Sequence, residues 1–208
     1  GSVGHLDDGG IVNNSGYKRY TARINADYQA KKWLKVSSNI SYSHGDSQTA
    51  SYSSTFGSSG NVFYITNMMA PIYPLYVRDA DGNIMTENGR TIYDANQTNF
   101  ARPAFTGNAV RDNEVDRKQN YSDVISGKWG VTATPVAGLS LSANVGLTNE
   151  NERYNALYSE FGSNSGTDGI AYVTHSRVFA VNNQYLAEYK TDFGGTNHNF
   201  DILAGYEI

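Results

Sequence analysis

The side chains that could do chemistry are few and scattered. Histidine occurs four times, at His5, His44, His175 and His198. No two of them stand at the spacing that presents paired metal ligands, and each reads more plainly as a strand-end or loop residue. Cysteine is absent, so neither disulfides nor thiolate nucleophiles are available. Serine and aspartate are abundant, yet no G-x-S-x-G or comparable nucleophile context occurs. An enzyme would need a carboxylate, a histidine and a serine gathered at a loop rim, with His44 and His175 as the histidines to test. The expectation is that the chain is not an enzyme. Asp79-Ala80-Asp81-Gly82-Asn83 brings several oxygens together, as calcium requires. Its nearest distal carboxylate, Glu87, has the wrong spacing for an EF-hand, and the same five residues read as an Asp-Gly hairpin turn. No cofactor is expected.

Binding is a better match to the residue types present. Tyr64, Tyr73, Tyr76 and Tyr93 fall in one long irregular stretch. Their rings could stack on sugars or peptide side chains, since aromatics offer large contact area at small entropic cost. They could equally pack that stretch against itself or against a partner. Arg19, Arg23 and Asp27 alternate on the polar side of a strand. They would line the lumen of a barrel, as a cargo path or as a solvated charge ladder. Net charge is −4 and there is no basic stripe, which argues against nucleic acid as a partner.

The elements that would position these residues are unusually long strands. From Tyr17 to Gln29 the even positions, including Tyr20, Ala22, Ile24 and Tyr28, are apolar or small. The odd positions, Arg19, Arg23 and Asp27 among them, are polar. A period of two marks a β-strand. Leu34, Val36, Ile40 and Tyr42 repeat the pattern within a strand predicted over Trp33 to His44, after a turn near Ala30 to Lys32. Further strands are predicted at Ser2 to Leu6, Tyr121 to Thr134, Leu139 to Thr148, Tyr172 to Lys190 and Asn199 to Ile208. In the Tyr121 strand, Asp123 and Gly127 fall on the apolar side. Soluble strands average about 5–6 residues, whereas a tilted membrane-crossing strand needs about 9–11. Only 39% of the 208 residues are hydrophobic. There is no apolar run long enough for a transmembrane helix, but a barrel places its apolar residues at every second position.

Connections alternate in length. Turns near residues 31, 136 and 194 are short. Loops at 7–16, 45–118 and 149–170 are long, and Asn61 to Ala70 could hold one short helix. Outer-membrane barrels have short periplasmic turns and long extracellular loops. Tyr28, Trp129 and Tyr189 lie on the apolar face near the short turns, as an interfacial girdle would, and Trp33 sits just past that edge. The chain starts and stops in strand-like sequence, so a piece of a longer protein is expected.

Gly4-His5-Leu6-Asp7-Asp8-Gly9-Gly10-Ile11-Val12, the run Asn14 to Asn25, Lys32-Trp33-Leu34-Lys35-Val36 and Asn39-Ile40-Ser41-Tyr42-Ser43 resemble the early barrel strands of SusC/RagA-like TonB-dependent transporters of Bacteroidota outer membranes. The resemblance is carried by residues 1–45; later strands match in general character. It implies a barrel of about 22 strands behind an N-terminal plug. It further implies import of glycans, peptides or other large nutrients, energy from TonB through N-terminal parts outside this chain, and a SusD-like surface lipoprotein as lid. The fold expected is therefore all-β: an antiparallel transmembrane β-barrel segment of about seven long strands, with residues 1–208 forming part of the barrel domain. Its partners would be outer-membrane lipid, an oligosaccharide or peptide substrate, the lid and TonB. The alternative is a secreted soluble β-sandwich that binds carbohydrate. That alternative would pack Leu139, Leu141 and Val145 against a second sheet.

Overall fold

The alternating stretches pair edge to edge into one sheet. The computed structural model describes residues 1–50, 63, 67, 71–94, 108–162, 168–192 and 199–208. Its strands are β1 Ser2–Gly9, β2 Gly16–Lys31, β3 Leu34–Thr49, β4 Thr86–Glu87, β5 Arg90–Thr91, β6 Arg117–Ala133, β7 Leu139–Tyr158, β8 Ile170–Asp192 and β9 Asn199–Glu207. A short helix, α1, spans Ala109–Val115. Seven strands form an antiparallel sheet in the order β1-β2-β3-β6-β7-β8-β9, and β4 pairs with β5 separately. β8 runs for 23 residues, twice what a tilted membrane crossing needs.

Register gathers the apolar positions mainly on one face, while Leu6, Val124, Val178, Leu186 and Leu203 fall on the other. Val36 stands opposite Tyr28 and Val131. Val131 faces Ala143, Ala143 faces Tyr185, and Tyr185 faces Tyr206. Two rows further up, Ile24, Ile40, Gly127, Leu147 and Val181 line up in the same way. The opposite face is polar and hydrogen-bonded across strands. Thr132 meets Ser142 at 3.3 Å, Asn144 donates to Gln184, and Asn182 donates to Glu207 at 2.6 Å.

Nothing among the described residues covers the apolar face. Ile24 is 65% exposed, Leu141 42%, Phe200 52% and Tyr206 61%. The buried hydrophobic residues are Ala109 and Ala156, both outside that face. Total accessible surface is 14144 Å², where a folded soluble chain of this mass would show about 9,500 Å². The two-layer sandwich requires Leu139, Leu141 and Val145 to be packed under a second sheet; the other sheet among the described residues is the pair of two-residue strands β4 and β5, and Leu141 and Val145 stay 42% and 40% exposed.

The strands outrun their predicted ends. β3 continues to Thr49 and β6 begins at Arg117, so the long connection is shorter than 45–118. β7 continues to Tyr158 and β8 begins at Ile170, which reduces the loop at 149–170 to residues 159–169. Alternation fades in these extensions because both faces are wet there, while backbone pairing persists. The first short turn is centred on Lys32-Trp33 rather than Ala30 to Lys32. A register shift between Gln29 and Lys31 absorbs the extra residue, and Trp33 sits in the turn with the Lys31 ammonium 5.5 Å from its ring. The predicted turn near 194 and most of the helix at 61–70 lie outside the described residues; Phe63 and Asn67 are helical. Both exceptions in β6 have causes. Gly127 lies beneath the Trp129 indole, which occupies the space a side chain there would need. Asp123 sits at the upper edge of the apolar band, where it accepts from Tyr42 and pairs with His44.

The β6–β7 turn tests the backbone geometry. Gly138 has φ 83°, and a Cβ there would collide with the Lys190 carbonyl. Gly82 has φ 87° with open space around it. Gly82→Ala is expected to cost about 1 kcal/mol, the conformational cost alone. Gly138→Ala is expected to cost about 2–3 kcal/mol, since strain and collision add. Denaturant unfolding of the two variants measures the difference, and equal effects would contradict this geometry.

Candidate functional site

The polar side chains that meet over long sequence distances gather at the end of the sheet opposite the short turns. Residues 71–94 fold into a small meander. Val77 N–H donates to the Ile92 carbonyl, Met85 N–H to Val77, and Ile92 N–H to Met85, at 2.9 to 3.0 Å. Two tight turns build it. At the first, Asp79 accepts from the backbone of Asp81 and Asn83 and from the Asn83 amide group. These bonds, with the Asn83 side chain first, hold the Asp79 carboxyl below its ordinary range. The Asp79 carboxylate therefore serves the turn. At the second, Asn88 and Gly89 both take positive φ, the geometry a two-residue hairpin favours. Within the long loop expected over 45–118, this Asn-Gly pair is the local signal of the turn.

Asn108 joins the meander to α1. Its side-chain oxygen caps the helix by accepting from Val110 and Arg111 N–H at 3.1 Å. Its amide group donates to the carbonyls of Leu75 and Asp94 at 2.9 and 3.1 Å. One buried side chain thus satisfies both a helix end and a neighbouring loop. α1 then reaches two other connections. Asn113 donates to the Asn13 carbonyl at 2.5 Å, and Asn14 donates back to the Asn113 carbonyl at 2.9 Å. Asp116, just past the helix, accepts from Ser159 N–H in the β7–β8 loop at 2.9 Å. In the same region Arg90 lies 4.2 Å above the Phe161 ring. The β1–β2, β3–β6 and β7–β8 connections are therefore bonded into one rim.

The predicted residues divide between this rim and the sheet. Tyr76 and Tyr93 form a bridge and their rings stand 5.1 Å apart. Tyr93 O–H donates to the Glu114 carboxylate of α1. Burial first, then that carboxylate, pushes the Tyr93 phenol well above its ordinary range. These two rings hold the rim together. Tyr73 is half-buried in the same segment, and Tyr64 lies outside the described residues. Arg19, Arg23 and Asp27 all lie on the polar face, opposite Gly45, Ser41 and Ser37. Asp27 pairs with Lys35 at 3.5 Å. They are spread along β2 and do not join the loop tyrosines.

The histidines remain apart from one another, and His198 lies outside the described residues. His44 meets Asp123 at 2.8 Å, a pairing the sequence reading missed because 79 positions separate them. Its neighbour Ser43 falls on the other face of the strand.

No family model matches the chain, and no curated protein does. Among solved structures, it is similar to a chain of the RagAB peptide importer in the 'closed-closed' state, at TM-score 0.70 and 22% identity over 99% of this chain and 22% of that one. A chain of the RagAB peptide transporter gives 0.70 and 21%. The RagAB peptide importer in the 'open-open' state gives 0.69 and 21%. At such identities the likeness is one of fold, and this chain spans 22% of the first neighbour's length.

Asn108 provides the sharpest test of the rim. Asn108→Ala removes the cap and leaves two loop carbonyls without their donor, at a cost of about 1–3 kcal/mol to local stability. Asn108→Ser keeps a capping oxygen and loses the amide donor without burying a charge, so its effect is expected to be smaller. Hydrogen exchange over residues 71–94 and 109–115 reports both. Exchange in the meander that is unchanged by either variant would rule out the junction.

Proposed function

We propose that this chain forms barrel wall and outer loops of a nutrient importer in the outer membrane of a Gram-negative bacterium. The observation that carries the reading is the apolar face: the seven-stranded sheet gathers apolar side chains on one face, and no described residue covers it. A side chain left uncovered in water forfeits its transfer energy, and acyl chains are the surroundings that restore it. Closed sheets are the form in which strands cross hydrocarbon. The short turns then face the periplasm and the bonded rim faces outward. Likeness in fold to chains of a peptide importer supports peptide as cargo, with oligosaccharide as the second choice.

On this reading the chain recognises and passes cargo and makes no bond. Arg19, Arg23 and Asp27 line the lumen. Tyr76 and Tyr93 act as scaffold, which leaves Tyr73 and Tyr64 as the aromatics for cargo or for a SusD-like lipoprotein lid. TonB would supply energy through N-terminal parts that lie outside this chain.

Two outcomes are expected. Ile40→Arg places charge in the apolar band and should destabilise the inserted protein by about 2–4 kcal/mol, while Ser41→Arg, on the polar face, should cost little. Folding into phosphatidylcholine vesicles, scored by gel mobility and protease protection, measures both; equal tolerance would contradict the assignment of faces. Loss of the gene should abolish growth on peptides as sole amino-acid source, and so should loss of TonB. Unimpaired growth on peptides together with failure on oligosaccharides would transfer the assignment to glycans.

A further inference from the structure

The outward face does not stay apolar to its top. On β7 and β8 the apolar pair Leu147–Val181 is followed by the mixed pair Asn149–Phe179, then by Asn151–Arg177 and Arg153–His175. All of these lie on the face that carries Leu141 and Tyr185. Arg153, His175 and Arg177 are exposed. The arginine Nε atoms donate to the neutral side chains of Asn155 and Asn149. No carboxylate pairs with either guanidinium among the described residues. Glu150 and Glu152 alternate onto the opposite face. Asp123, across β6, is engaged by Tyr42 and His44.

On this face Lys18 pairs with Asp7 at 3.1 Å, and His44 with Asp123. Arg117 of β6, opposite Leu157, adds a further cation to the same face. The β7–β8 cluster carries two arginines and a histidine together with no ion pair among the described residues, in a chain of net charge −4. It lies directly above the half-exposed Phe179 and Val181, and the aromatic Tyr121 stands opposite Arg153. Cations and an aromatic at the end of an apolar band occupy the headgroup level of a bilayer. Water alone would ask for no such asymmetry.

We propose that Arg153 and Arg177, with His175 and the Asn149, Asn151 and Asn155 amides beside them, bind the anionic headgroup of an outer-leaflet lipid whose acyl chains lie along Phe179 and Val181. The proposal rests on the membrane reading above. The ligand is a phosphorylated glycolipid of the lipid A class, because two forked guanidiniums on adjacent strands match a phosphate.

The test uses the full-length protein folded into phosphatidylcholine vesicles with or without lipid A. The wild type should retain lipid A through purification, less well at high salt, and should not retain the dephosphorylated form. Arg153→Gln/Arg177→Gln should weaken retention by about fivefold for each arginine removed, while insertion into pure phosphatidylcholine stays normal. Arg153→Lys/Arg177→Lys should recover most of the binding. Equal retention by wild type and the glutamine variant, with normal insertion, would overturn the headgroup site and leave the membrane reading standing. Failure of the wild type to insert at all would overturn both.

Discussion

A sheet of seven strands holds together here through its backbone ladders, without an apolar interior beneath it. Antiparallel register continues from β1 to β9, with a shift only between Gln29 and Lys31 in the β2–β3 pair. Because side chains alternate, a slip of one residue would carry a strand's whole apolar set to the polar face. Register is thus tied to which face meets which surroundings. Rows such as Tyr28–Val36–Val131–Ala143–Tyr185–Tyr206 align apolar groups from strand to strand, and cross-strand contact among them is the lateral packing available. The hydrophobic effect that stabilises a soluble domain has to act here between the sheet and whatever covers it.

That arrangement divides the molecule by height. Near the short turns one face is apolar and the other carries small polar residues, so the sheet separates two unlike media. Toward the other end charged and polar residues enter both faces, with Val173 and Leu157 still outward, and the strands still pair, which lets the wall stand above the apolar band as a support for loops. The outward face then carries Tyr42, His44, Asp123, Arg153 and Arg177, where the band gives way to charge. The change in side-chain chemistry along a continuous ladder marks a boundary in the surroundings rather than in the fold.

Loops on such a wall would be expected to be loose, since they have little to pack against. Here α1 and its flanking residues supply the order with polar side chains. Asn108 satisfies a helix end and two loop carbonyls, and Asn113 accepts from Asn14 while donating to the Asn13 carbonyl. Asp116 ties in the far loop. Each is a local hydrogen-bonding residue used at long range, in a region with almost no apolar core: Ala109 is the buried hydrophobic side chain there. A rim organised in this way can present Tyr73 and its neighbours in a defined arrangement, which recognition at the end of a barrel requires.

Strand positions and facing were legible in the sequence because a period of two is a property of adjacent residues. Ile24, Ile40, Val131, Leu141, Tyr185 and Tyr206 fall on the expected face, and the turn at Asp79–Gly82 was readable from its own chemistry. What the sequence left dark was decided by partners far along the chain. His44 and Asp123, Asn14 and Asn113, and Asp116 and Ser159 meet only once β3, β6 and β7 have paired. The extensions of β3 and β6 were equally hidden, since with water on both sides alternation carries no signal and only an inter-strand ladder keeps the backbone extended; in β7 the sequence hinted at strand over Tyr154–Tyr158 alone. Local pattern records what each residue faces; which distant residue it touches is set by the register of the whole sheet.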